Sequence, residues 1–297
     1  MKRSFGFMSA FASAVIFGIT SVLGRLTYDM GSNPIMLVFL RGVLAIPVLF
    51  LVTKLLRIPL ALTRRQWIEV YLIGIFGYSS TAFLLFTAYR YIAVGTATVL
   101  HFLFPVIVTV FNCVFFKDKL SAGKIIALVL TMAGTAFFFE DVSHMAFMGI
   151  LFAIASAVTN AVYILGVEHW SLRGMHYLSI SFHLSVSSSI VSGLFAYLSG
   201  NLTWNLTPTG WFYSIVIAIL VTLCAFTLLQ VGIRLCGGTT ASIVSTAEPI
   251  TSLLAGWYIL NEIMSPLALI ASGIILLGVV ITAFADRHKV MEKIIKN

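Results

Sequence analysis

Residues 239–262 read TTASIVSTAEPITSLLAGWYILNE, and this stretch decides the fold. It is apolar apart from Ser and Thr, and it is long enough to cross a bilayer core of about 30 Å. Yet it carries Glu248 followed by Pro249 in its middle. A copy lies 144 positions upstream at residues 95–118, GTATVLHFLFPVIVTVFNCVFFKD. Thr96 and Thr240, Ala97 and Ala241, and Pro105 and Pro249 coincide, and both stretches end in an acid, Asp118 and Glu262. The same offset pairs Arg90 with Arg234, Ser121 with Ser265 and Gly134 with Gly278, without a gap. Arg, Pro and acidic matches carry most of the weight, because such residues are rare in so apolar a chain. The first helix of each half aligns at 143, AFASAV at 10–15 with AIASAV at 153–158.

Composition fixes the class. Of 297 residues, 60% are hydrophobic and only 9% charged, and the mean hydropathy is +1.06. Water-soluble domains hold about 25% charged residues, so this chain cannot cover itself with polar surface. The apolar runs are continuous rather than alternating, which excludes a β-barrel. A net charge of +8 would suit nucleic acid, but Lys and Arg flank the apolar runs, as they do beside cytoplasmic membrane ends. No nucleic-acid partner is expected; the lipid bilayer is. Cys113, Cys224 and Cys236 stand singly, with no metal or disulfide spacing. The basic N-terminus followed by an apolar run has the outline of a signal peptide. The run is of spanning length, however, and part of it recurs inside the chain, so it reads as a retained helix.

About 20 residues span the apolar core, and ten such runs occur, near 5–26, 34–53, 67–88, 92–116, 121–139, 145–167, 176–198, 209–235, 239–260 and 266–285. The expected fold is an all-α polytopic membrane protein. Residues 1–143 and 144–285 form five-helix repeats, and 286–297 a charged tail. With a cytoplasmic N-terminus, fifteen Lys and Arg lie inside, Arg25 and Arg90 outside, and Arg41 within the second run, so both termini are expected in the cytoplasm. Five helices per unit means the halves insert in opposite senses. That is the inverted-repeat plan of secondary transporters, whose substrates bind near the midplane between repeats.

The sequence resembles the drug/metabolite transporter superfamily, specifically its ten-helix EamA-type members. The likeness rests on Phe17-Gly18-Ile19-Thr20, Arg41-Gly42-Val43-Leu44-Ala45-Ile46-Pro47, Ala247-Glu248-Pro249 and the trailing Asn261-Glu262. It covers nearly the whole chain. It implies an inner-membrane exporter of amino acids, other metabolites or toxic compounds, with one cavity lined by the central helices of both halves. Two departures stand out: Phe104 precedes Pro105 where the later copy has Glu248, and Phe17 stands where many relatives carry tryptophan.

The candidate site rests on polar groups at membrane depth, which are costly to place there and therefore point to function. Glu248 is the first, as a proton site or an anchor for a substrate amine; the alternative is a carboxyl that supports the kink at Pro249. His101 lies one turn before Pro105, on the same face, and can bind substrate, shuttle a proton or tie helices together. Arg41 can meet a substrate carboxylate, pair with an acid or reach toward the interface. Asn160 and Tyr163 share a helix face, Thr20 stands at nearly the equivalent depth in the first helix, and Tyr78 opens a polar patch, Tyr78-Ser79-Ser80-Thr81. Such groups either line a cavity or bond helix to helix. No phosphate loop, nucleotide fingerprint or catalytic triad pattern occurs, so neither enzymatic activity nor a cofactor is expected. The expected partner is a small-molecule substrate, moved either with protons through Glu248 or by facilitated diffusion down its gradient through the same cavity, with the protein a monomer or homodimer. A non-transporting scaffold, or an enzyme acting on a lipid-linked substrate, is the alternative.

Overall fold

The computed structural model describes residues 2–115, 122–137, 144–236, 244–245, 247–263, 265–267, 269–278 and 280–281. Asp118, most of the N-terminal third of the 239–262 stretch and the tail 286–297 lie outside the described residues. The described residues are helical, joined by turns and short connections, with no strand among them.

Helix α1 spans Lys2–Leu26 and passes through a short 3₁₀ turn, Thr27–Met30, into α2, Pro34–Leu55. The start of α2 is written locally: Pro34 occupies the first turn, and the Asn33 side chain accepts from the Met36 N–H at 2.8 Å. Next come α3, Arg64–Ile73, a π-helical turn, Gly74–Ser79, and α4, Ser80–Ala88. Then come α5, Val94–His101, α6, Phe104–Phe115, and α7, Ala122–Phe137. The later half holds α8, His144–His169, and α9, Tyr177–Leu198. Beyond them lie α10, Pro208–Ile219, a second π-helical turn, Leu220–Ala225, and α11, Phe226–Cys236. Helix α12 is Ala247–Leu260 and α13 Leu269–Gly278.

Six helical stretches are long and apolar enough to cross a membrane: Ser4–Met30, Pro34–Leu55, Arg64–Ala88, Met145–Val167, Tyr177–Leu198 and Pro208–Leu229. Val94–Val108 and Leu269–Gly278 are shorter apolar helices. The count of ten spans remains an expectation from sequence. The outward faces are apolar. Leu55, Trp67, Tyr197, Trp257 and Ile263 are among many exposed large hydrophobic side chains, a skin that water would not tolerate and lipid tails would. The main core joins Val22, Leu37, Phe86, Leu100, Ile217 and Ile275, residues from both sequence repeats.

The loops meet in sets. At one end Asn33 Nδ2 donates to the Asn201 carbonyl at 2.8 Å, Thr203 Oγ1 to Gly31 at 3.0 Å, and the Thr207 N–H to Met30 at 3.0 Å. At the other end Glu69 accepts from Arg65 at 2.8 Å and from the Ser171 N–H at 2.8 Å, and also from the Ser171 hydroxyl.

Helix α12 packs on α1 and α5 through missing side chains. A Cβ on Gly18 would lie 2.8 Å from the Glu248 carbonyl oxygen, and one on Gly95 would lie 2.8 Å from Leu253 Cα. Backbone cannot swing aside as a side-chain end can. Gly95→Val should therefore push α12 off α5 and cost about 1–3 kcal/mol. A fall in the melting temperature of the detergent-purified protein checks this.

Candidate functional site

Pro105 has no N–H to give, and the chain breaks one turn earlier, between α5 and α6. There the Phe102 N–H bonds to Thr98 at 3.0 Å, the Leu103 N–H to Leu100 at 3.1 Å, and the Ile107 N–H returns to Leu103 at 3.1 Å. His101 ends α5 at this break and points into α8. Its Nδ1 lies 2.9 Å from Ser156 Oγ. The single Ser156 hydroxyl proton is already given to the Ala153 carbonyl at 2.6 Å, so Oγ accepts and His101 Nδ1 carries the hydrogen. Nε2 is then the acceptor of a neutral ring and faces Asn160 Nδ2 at 3.5 Å. His101 and Asn160, chosen separately from sequence, are thus one cluster bridging α5 and α8. Ser156 completes it, and in the sequence it stands only within the repeated AIASAV run.

A second cluster forms around Tyr78. The π-helical turn adds a residue to the helix and re-aims the side chains beyond it, and Tyr78 meets Tyr163 at 6.1 Å and Phe226 at 6.0 Å between ring centroids. Phe226 in turn stacks edge-on with Phe17 at 5.3 Å. The Arg41 guanidinium carbon stands 5.0 Å from the Tyr78 ring and 5.8 Å from that of Phe86. Five elements, α1, α2, the first π-turn, α8 and α11, therefore converge on one aromatic nest. Tyr78, Tyr163, Phe17 and Phe226 each keep part of their surface free within it. Phe226 escaped the sequence reading, because an aromatic residue in an apolar run gives no signal of which way it faces.

Two candidates sit differently. The Thr20 hydroxyl is buried and donates within its own helix, to Ile16 at 2.9 Å and Phe17 at 3.0 Å. Its polar group is spent locally. Glu248 lies in the first turn of α12, half-buried. Glu248 and His101 make no direct hydrogen bond among the described residues.

The acid at the end of the opening stretch has a defined role. Asn261, at φ 53°, turns the chain out of α12. Glu262 then reaches back to the N-terminus of α5 and accepts from the Val94 N–H at 2.9 and 3.0 Å with its two oxygens, with the Gly95 N–H a further donor. Burial pushes the Glu262 carboxyl above the usual carboxylate range, and the Val94 and Gly95 donors and the Arg25 charge oppose that. Beside it opens a groove of about 280 Å³, lined by Arg25, Tyr89, Arg90, Glu262 and neighbours.

Such a helical bundle, apolar outside and polar and aromatic where its halves meet, has the form of a multi-pass membrane transporter. The model of the EamA-like transporter family matches residues 4–139 and again 147–284, and the chain belongs to that family. It is 27% identical over 210 residues to an uncharacterized transporter of Bacillus subtilis, YwfM, covering 69% of this chain and 70% of that one. It is 26% identical over 236 residues to an uncharacterized transporter of Archaeoglobus fulgidus, covering 72% and 76%. A solved crystal structure superposes with a TM-score of 0.69 over 96% of this chain and 98% of the other, at 17% identity. That likeness concerns the fold alone.

Glu262→Ala should leave the first N–H groups of α5 without an acceptor and destabilise the protein by about 0.5–2 kcal/mol. The check is faster hydrogen exchange at Val94 and Gly95, with a lower melting temperature. Unchanged exchange would remove the capping role.

Proposed function

We propose that this protein is a secondary transporter, exporting small metabolites such as amino acids across the cell membrane through a cavity between two inverted five-helix halves. Each half crosses the membrane five times, giving ten spans with both termini in the cytoplasm, and the cavity opens to either side in turn as the halves rock. The observation that carries this reading is a pair of clusters that join the repeats, His101 of the first with Asn160 of the second, and Tyr78 of the first, beside Arg41, with Tyr163 and Phe226 of the second. Polar groups at membrane depth cost free energy, and a bundle held together by packing alone has no use for so many at one place. His101 and Asn160 orient polar ends of the substrate, Tyr78 and Tyr163 cover its body, and Glu248 carries the coupling proton or anchors an amine. Thr20 supports α1 from within.

Proteoliposomes loaded and assayed with a panel of amino acids and other metabolites test it. Flux of at least one compound, faster with a proton gradient, is expected. Glu248→Gln should lower the gradient-driven component at least about tenfold. Parental rate and pH dependence in Glu248→Gln would remove the proton role. Absence of flux for every compound, with the protein folded, would favour a scaffold or an enzyme.

A further inference from the structure

Arg41 is a cation inside the bundle without a counter-charge. It lies seven residues into α2, about 10 Å from that helix end, and is 9% exposed. The ion pairs among the described residues are Arg25 with Asp29 and Arg65 with Glu69; none involves Arg41. Nor does its guanidinium make a hydrogen bond to any described residue. Its guanidinium carbon lies over the rings of Tyr78 and Phe86 instead. Ring faces attract a guanidinium by about 0.5–2 kcal/mol, but they offer no lone pair to an N–H donor. The five N–H donors lie in the plane, at the edge, and the rings leave them unbonded. The guanidinium nitrogens are not among the fully buried, unpartnered polar atoms, so a ligand can reach them.

The missing group is an anion of matching shape. A guanidinium fork fits the two oxygens of a carboxylate in parallel, and the adjoining wall is aromatic, Tyr78 leading on to Tyr163 and Phe226. We propose that Arg41 is the oxyanion-binding residue of the transport site, and that the compounds carried are small organic carboxylates with an apolar or aromatic body. This rests on the transporter reading above and narrows it. The carboxylate displaces water from the edge of Arg41 while the body stacks on Tyr78. Amines of the same shape are rejected, because they would bring a second cation to the guanidinium.

Three probes of one skeleton isolate the charge: 3-phenylpropionate, 3-phenylpropanamide and 3-phenylpropylamine. Binding to the full-length protein in detergent is read from the shift of its melting temperature. The acid should bind at least about tenfold more tightly than the amide, and the amine not at all. Arg41→Met should abolish the preference for the acid over the amide, and Arg41→Lys should keep part of it. The wild-type comparison needs no variant, so misfolding of Arg41→Met leaves the test intact. Equal binding of acid and amide by the wild type, binding of none of the three, or an acid preference that survives in Arg41→Met overturns the proposal and makes Arg41 a brace between α2 and the π-turn. The proteoliposome panel separates the two failures. Flux of amines or neutral compounds without any for acids sinks the carboxylate site and keeps the transporter, whereas absence of all flux sinks the transporter.

Discussion

A backbone inside a bilayer has no water to bond, so every interruption of a helix there must be repaired by groups of the protein itself. This chain interrupts its helices repeatedly, and the repairs organise the structure. The first π-turn displaces carbonyls from their usual partners. Ser79 Oγ donates to Gly74 at 2.6 Å and Ser80 Oγ to Ile75 at 2.8 Å, each five residues back. The second π-turn is repaired from outside its own helix, by Ser13 of α1 donating to the Ala225 carbonyl at 2.7 Å. The start of α5 is closed by Glu262 from the far end of α12. The break before Pro105 stands beside the His101 contact with α8. Polar residues that sequence marks as anomalies in apolar runs are, in these places, the conditions for breaking a helix at all.

The breaks fall where the two repeats meet, and in matching positions. The π-turns Gly74–Ser79 and Leu220–Ala225 lie 146 positions apart, close to the offset of the repeat itself. The first π-turn carries Tyr78, the second runs directly into Phe226, and the two rings touch. An added residue rotates the next stretch of helix by about 100°, from the 3.6-residue period. One helix can then present one face to its neighbours below the turn and another above it. Ahead of the turn Val70 and Ile73 pack with Leu184 of α9; after it Thr81 bonds across to Thr159 of α8 at 2.8 Å.

The same constraint governs how much of the structure is legible in the sequence. Apolar runs marked the long helices, and two of these begin on locally coded turns, Pro34 after Asn33 and Pro208 after Thr207. The repeat was legible through its rare residues. Of the candidate site, His101 with Asn160, Tyr78 with Tyr163, and Arg41 beside Tyr78 are gathered as polar depth suggested. Thr20 is not among them, because a hydroxyl on a helix can satisfy itself on the preceding turn, and sequence does not tell that choice from a cavity-facing one. The π-turns were illegible for a related reason. One extra residue shifts the helical phase without changing composition, so a pattern read at constant period gives no sign of where Phe226 points.

Glu248 and Glu262 then divide between them what one acid-bearing stretch suggested. Both belong to the stretch at 239–262, and both are carboxyls near helix ends. Glu262 is engaged by backbone donors and holds α12 to α5, across the repeat boundary. Glu248 has no such donors among the described residues. A carboxyl already committed to two N–H groups gains nothing by changing protonation with the substrate. One without such donors can take or release a proton without dismantling a helix end. Glu262 is therefore the structural acid, and the proposed proton role falls to Glu248. Arg41 pairs with neither acid and has aromatic rings beside its guanidinium instead.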